Sequence, residues 1–301
     1  MLPKYLPFSG PILLIAAVIG LAGCSRDDDE GIRIPPHNQA VLTLSPEEAR
    51  QSAQQVMNEL PIELADGLNL QLWAPEQLVQ DPVAIDIDNQ GRLYYIRSNR
   101  IRNSEFDIRG HQNWMIEVIG FETVEDRRAF LKRELAPERS AENTFLEDMN
   151  GDGSRDWRDL LVEKEQIYRL EDTDGDGFAN ESRLFVEGFN TEVSDVAGGL
   201  MVDGDTVYLG VAPDLWRIVD KDGDGVADVM KSLVHGFQTH IGFGAHGMSG
   251  QMMGPDGKIY WNIGDIGSNI VDANGKRWEN PHRGAIFRAN PDGSDFEVFS
   301  F

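Results

Sequence analysis

Ile85-Asp86-Ile87-Asp88-Asn89-Gln90-Gly91-Arg92-Leu93-Tyr94-Tyr95-Ile96, Gly199-Leu200-Met201-Val202-Asp203-Gly204-Asp205-Thr206-Val207-Tyr208-Leu209-Gly210 and Met252-Met253-Gly254-Pro255-Asp256-Gly257-Lys258-Ile259-Tyr260-Trp261 share one plan. Each is an apolar strand, an Asp/Gly turn, and a second strand with an aromatic residue near its middle. Turn residues between two apolar runs are the short-range signal of a β-hairpin. A second unit recurs between them: Ile167-Tyr168-Arg169-Leu170 before Val186-Glu187-Gly188-Phe189, Leu215-Trp216-Arg217-Ile218 before Val234-His235-Gly236-Phe237, and Ile286-Phe287-Arg288-Ala289 before Phe296-Glu297-Val298-Phe299. A spacing of about fifty residues separates Gly177 from Gly225 and Gly204 from Gly257, and paired hairpins at that period suit one four-stranded blade per repeat. The expected fold class is all-β, a β-propeller. The repeats of 67–301 supply only part of a ring, so the propeller is expected to be incomplete and the chain truncated.

Two stretches depart from the repeat. Ser45-Pro46-Glu47-Glu48 is a capping box with proline at the first helical position, and it predicts a helix from Pro46 to Glu59 within a helical lead-in over 45–66. Residues 99–165 form an insertion in which Thr123 to Leu135 reads as a charged amphipathic helix. Packed on one rim, it would serve as plain filling or as a cover over a site.

At the start, Lys4 precedes the apolar stretch Ile12 to Gly20, which ends on Leu21-Ala22-Gly23-Cys24. That stretch is short for a membrane span and has the layout of an export signal over 1–24. Leu-Ala-Gly-Cys resembles a bacterial lipobox, which implies lipidation of Cys24 and a lipoprotein held on a membrane, facing the periplasm or cell exterior. An ordinary signal peptide carries similar small residues. The polar segment 25–44 is expected to be a flexible tether.

The formal charge of −24 repels a phosphate backbone, so nucleic acid is not an expected partner. Cys24 is the one cysteine, which excludes an internal disulfide and the Cys-x-x-Cys-His attachment of a covalent haem.

The acidic residues are patterned. Asp172, Asp174, Asp176, Phe178 and Asn180 match positions of a calcium loop, as do Asp220, Asp222, Asp224, Val226 and Asp228. Asp148, Asn150, Asp152, Ser154 and Asp156 repeat the set. Side-chain oxygens at alternate positions converge because glycine turns the chain sharply, and position seven lends its carbonyl. The twelfth position is Arg183 in the first loop and Lys231 in the second; only the loop at Asp148 has a carboxylate there, Asp159. These are partial loops for Ca2+ in a structural role. Asp-Gly repeats also make plain turns, but a turn does not need the alternating carboxylates.

His246 precedes the last quoted hairpin and Asp265 follows it. If the chain doubles back at Asp256-Gly257, Asp265 returns to the level of His246. A histidine with a carboxylate behind it can take a proton near neutral pH. The plainer alternative is a satisfied inner-strand histidine and an aspartate capping a turn. His240 is a second candidate base or ligand, and Asp195 is a candidate for the same channel.

The run through His246-Gly247-Met248-Ser249-Gly250, Gly254-Pro255-Asp256-Gly257-Lys258-Ile259-Tyr260 and Ile263-Gly264-Asp265-Ile266-Gly267 resembles the soluble quinoprotein sugar dehydrogenases. These are β-propellers that oxidise an alcohol carbon with pyrroloquinoline quinone (PQQ). Their histidine is the general base and their aspartate holds it; here one more residue precedes the serine. The resemblance implies PQQ as cofactor, a sugar or other alcohol as substrate and a cytochrome as electron acceptor, with His240 and Asp195 as weaker candidates for cofactor contact. The family's further cofactor contacts fall after the equivalent of Phe299. From Leu44 onward, Leu44-Ser45-Pro46-Glu47-Glu48, Asp81-Pro82-Val83-Ala84, Asp172-Thr173-Asp174-Gly175-Asp176-Gly177 and Ala212-Pro213-Asp214-Leu215-Trp216 resemble large bacterial propellers of the membrane-bound dehydrogenase type. The expected function is thus a quinoprotein-like dehydrogenase. The alternative is a non-catalytic, calcium-stabilised lipoprotein propeller that binds a carbohydrate or a protein partner.

Overall fold

The computed structural model describes residues 31–34, 41–101, 104–244 and 246–301. Cys24, the signal segment and residues 25–30 and 35–40 of the expected tether lie outside the described residues. Short strands β1 (Ile32–Arg33) and β2 (Val41–Thr43) come first. Next, β3 (Pro82–Ile87), β4 (Leu93–Arg97), β5 (Glu165–Glu171) and β6 (Glu181–Gly188) form an antiparallel meander. The plan repeats in β7 (Gly199–Asp203), β8 (Thr206–Val211), β9 (Asp214–Val219) and β10 (Val229–His235). In the third repeat β11 (Ser249–Met253) and β12 (Ile259–Ile263) precede a separate hairpin of β13 (Ser268–Val271) and β14 (Arg277–Asn280); β15 (Ala285–Ala289) and β16 (Glu297–Ser300) then complete the sheet. The structure is mostly β, in several antiparallel sheets with a few helices, and each expected hairpin pairs as its turn chemistry requires.

Period-two alternation sorts the side chains. In β4, Tyr94 and Ile96 join Ile167, Phe185 and Val186 in a core with Leu200, Val207 and Leu209 of the second sheet. Tyr95, between them, joins Leu78, Leu170, Trp73 and Leu44 in another. Residues on either side of the lead-in, Leu44 before it and Trp73 and Leu78 after it, thus pack on the first sheet's far face. A third core joins Tyr208 and Leu215 to Trp261 and Phe287 across the second and third sheets. The first strands of the three sheets lie side by side, β7 touching both β3 and β11.

The helix Pro46–Glu59 has the expected box: Ser45 Oγ accepts from the Glu48 N–H at 3.3 Å, and Glu48 accepts from the Ser45 N–H at 2.9 Å. Thr123 and Asp126 cap the helix Val124–Glu134 in the same way. The insertion has its own core of Trp114, Phe121, Phe130, Leu135 and Leu160, which closes on Val193 and Ile241. Part of the stretch expected to be tether differs from that reading. β1 pairs with β10 and β2 with β6, because each sheet's outer strand offers unpaired N–H and C=O groups to any short extended segment.

Candidate functional site

The chain reverses between β11 and β12 through Gly254 to Lys258, where the Gly254 N–H meets the Lys258 carbonyl at 2.8 Å. Ser249 lies opposite Asn262 in the ladder, so the residues flanking the hairpin are brought together. The Gly264 N–H donates to the His246 carbonyl at 2.9 Å. His246 Nδ1 stands 2.6 Å from Asp265 Oδ1, both side chains exposed. An ionised carboxylate only accepts, so Asp265 holds the proton of a neutral imidazole on Nδ1 and leaves Nε2 as an acceptor toward solvent.

The insertion grips the loop that carries this pair. The Ile108 N–H donates to the Gly242 carbonyl at 2.9 Å, and Asp107 Oδ2 accepts from the Gly244 N–H at 3.0 Å, a contact spanning 137 residues of sequence. The Arg109 guanidinium beside Asp107, with the Gly244 N–H, holds the Asp107 carboxyl far below the usual carboxylate range. Arg109 stacks over Phe243 at 5.3 Å, and Phe243 meets the His246 ring edge-on at 5.6 Å. Asp107 and Arg109 were invisible to pattern reading, since an Asp-x-Arg in an aperiodic segment carries no signal of its distant contact.

Close approach also fixes the pair. A Cβ at Gly264 would stand 2.8 Å from both the Cβ and the carbonyl oxygen of His246, so Gly264→Ala should push the histidine off Asp265. Histidine ring NMR is expected to show loss of the Nδ1–H hydrogen bond in that variant. Gly110→Ala, with nothing within 4 Å of the added carbon, should retain it. An unchanged ring spectrum in Gly264→Ala would overturn this account of the loop.

His240 and Asp195 flank the dyad without bonding it: the His240 backbone N–H donates to the Ile266 carbonyl at 3.4 Å. His240 Nε2 bonds the Pro281 carbonyl and its ring stacks on His282 at 5.4 Å, while burial pushes its pKa down. Asp195 is 3% exposed, its Oδ1 has no hydrogen-bond partner, and burial pushes its carboxyl up. It touches the histidine loop one residue on, where a Cβ at Gly247 would meet Asp195 Oδ2 at 2.4 Å. Asp195 and Gly247 line a cavity of about 230 Å³, together with Val83, Ile101, Glu105 and Met248.

Two of the three acidic loops bring carboxylates together. Oxygens of Asp172, Asp174 and Asp176 lie within 4.8 Å of one another, and so do those of Asp220, Asp222 and Asp224; both triads could hold an ion such as Ca2+. Burial raises the Asp172 pKa, but the N–H groups of Gly177 and Gly175 outweigh it and keep the carboxyl below its ordinary value. Each triad has an arginine at hand: Arg50 bonds Asp176 at 2.6 Å, and a Cβ at Gly225 would lie 2.4 Å from the Arg169 guanidinium. At position nine, Asn180 Oδ1 accepts from the Thr173 N–H at 2.9 Å and Asp228 Oδ2 from the Lys221 N–H at 2.7 Å, so these side chains close their loops. The loop at Asp148 is closed by the same side-chain-to-backbone bonds as the other two, but Asn150 stands where they have a carboxylate. Asp148 accepts from the Gly153 N–H and Asn150 from the Asp152 N–H. Asp152 accepts from the Ser154 N–H, Asp156 pairs with Arg158, and Asp159 takes the N–H groups of Asn150 and Asp156.

The chain belongs to the family described as a domain of unknown function, DUF7133, whose model matches residues 52–301. No curated protein and no solved structure matches the chain.

Proposed function

We propose that the chain is the propeller-type domain of a quinoprotein-like dehydrogenase that oxidises a sugar or other alcohol, exported and anchored by a lipid on Cys24. The observation that carries the reading is the 2.6 Å contact between His246 Nδ1 and Asp265, which leaves Nε2 facing solvent as a base. Side-by-side first strands of three antiparallel meanders support the propeller. In the reaction, Nε2 takes the hydroxyl proton, the carbinol hydrogen leaves as hydride to a two-electron acceptor, and the carbonyl forms. Asp265 stabilises the imidazolium as it develops.

PQQ is a tricarboxylate and needs cations around it. The arginines that the insertion brings near the dyad do not fit it. Arg109 is paired with Asp107, and Arg100 and Arg127 are buried with donors turned to main-chain carbonyls. The nearby cavity carries Glu105 and Asp195. No step is therefore routed through PQQ, and this acidic surrounding favours a second reading, a non-catalytic carbohydrate- or protein-binding lipoprotein. Assaying the full-length protein with an artificial dye and a panel of aldoses and alcohols, with and without added PQQ and calcium, separates the two. Dye reduction is expected, and its absence with every substrate would remove the dehydrogenase reading.

For the acidic loops the proposed ligand is calcium in a structural role. A site that binds only the folded chain stabilises it by about 2.7 kcal/mol at a hundredfold excess over its Kd. Calcium should raise the melting temperature and a chelator lower it. Asp174→Ala combined with Asp222→Ala should erase most of the response while preserving the fold. A melting curve indifferent to both additions would sink the assignment.

A further inference from the structure

We infer that the cavity between the first sheet and the loop before β3 is a binding site for a sugar acid, whose carboxylate pairs with Arg97. The cavity has a volume of about 200 Å³, more than the roughly 150 Å³ that accommodates benzene. Gln77 and Gln80 line it from that loop, Arg97 from β4, Tyr168 from β5, and Val41 and Leu42 from β2. Arg97 and Tyr168 are half-buried and the other four are exposed, so all six keep accessible surface. Arg97 carries the argument. Among the described residues its guanidinium makes no hydrogen bond and no ion pair, and it acts on the Tyr95 hydroxyl through its charge alone. Other arginines of the first sheet are engaged: Arg92 with Asp88 at 2.6 Å, Arg169 with Glu171 at 3.3 Å and Arg183 with Glu181 at 3.0 Å.

The chain has 51 acidic residues, yet none of the described residues that line this cavity is acidic. A guanidinium with no partner presents a planar fork of donors that takes a carboxylate through two parallel bonds. The chain's overall negative charge opposes an anion weakly here, because exposed charges more than about 8 Å apart are largely screened at physiological ionic strength. The rest of the lining selects the body of the ligand. The amides of Gln77 and Gln80 both donate and accept, as does the Tyr168 hydroxyl, which suits them to sugar hydroxyls. Gln77 is steadied by its Nε2 bond to Ser52 at 3.3 Å, and the Tyr168 ring by stacking on Tyr95 at 5.4 Å. Val41 and Leu42 offer apolar surface to the C–H face of a ring. A carboxylate joined to a hydroxylated six-carbon skeleton satisfies all three features, whereas phosphate satisfies Arg97 alone. No residue of the His246 loop is among those lining the cavity, so the inference does not rest on the dehydrogenase reading.

The test is calorimetric titration of the full chain with glucuronate, with glucose as the uncharged probe and inorganic phosphate as the anion without a sugar. Glucuronate should saturate, with glucose and phosphate each at least about tenfold weaker. Arg97→Gln should weaken glucuronate about ten- to a hundredfold, the usual effect of losing hydrogen bonds to a charged group. Arg97→Lys should recover only part of the loss, since an ammonium keeps the charge without the fork. Leu42→Trp, at an exposed position on the cavity, should block binding with Arg97 intact. Should the Arg97 variants fail to fold, Leu42→Trp and the comparison of the three probes decide. Glucose or phosphate binding as tightly as glucuronate, no saturation by glucuronate, or binding that survives Arg97→Gln or Leu42→Trp overturns the inference. Glucuronate binding without dye reduction supports the cavity and counts against the dehydrogenase. Dye reduction without glucuronate binding does the reverse.

Discussion

Replacing His246 by alanine is expected to lower turnover about 10²–10⁴-fold, the usual cost of losing a positioned general base. The fold should survive, since the side chain is exposed and its loop is held through backbone contacts at Gly264 and Gly244. The loss should fall on kcat more than on KM, because Nε2 acts on the proton in flight rather than on the bound alcohol. Asp265→Asn adds a sharper control. An asparagine can turn its amide toward Nδ1 and favour the tautomer with the proton on Nε2, which removes the base without removing the ring. That variant should therefore lose a large part of the activity while still folding. Full dye reduction by either variant would take the catalytic role away from the pair, and the acidic loops would then be the chain's better functional lead.

The hairpins were legible because two local rules agree at each of them. Gly204 and Gly257 both adopt positive φ, which turns between tightly paired strands require, and the flanking residues alternate between two faces. The His246–Asp265 contact was legible for the same reason, as it follows from one turn and a short register. The hairpin of β13 and β14 escaped notice: Asp272-Ala273-Asn274-Gly275 is a turn signal, but the strands beside it lack the aromatic alternation of the blades. The strands β1 and β2 could not be read at all, since short exposed segments pair wherever a free sheet edge happens to lie. The grip of Asp107 on Gly244 and the place of Asp195 depend on tertiary packing across long stretches of chain. The alternating aspartates did announce two triads, yet the arginines beside them come from distant elements.

Arg100 shows most clearly what such packing hides, and its replacement should have the largest effect on stability. It stands where the insertion leaves the first sheet, it is completely buried, and burial pushes its pKa down despite nearby carboxylates. Its Nη1 donates to the carbonyls of Leu160 at 2.7 Å and Glu163 at 3.0 Å, and its Nη2 to those of Thr191 and Ser194 at 3.2 Å. One guanidinium thus ties the end of the insertion to the segment that leads into β7, next to Asp195. Arg100→Met leaves those carbonyls buried without donors, and removing one side of a buried polar network costs about 3–5 kcal/mol. Lysine should rescue little, because a single ammonium cannot span the fan of acceptors that a planar guanidinium reaches. Urea denaturation should show the midpoint falling with an unchanged slope, the mark of lost native stability rather than of an altered unfolded state. A methionine variant that unfolds within about 1 kcal/mol of the parent would mean that water satisfies those carbonyls as well as the arginine does.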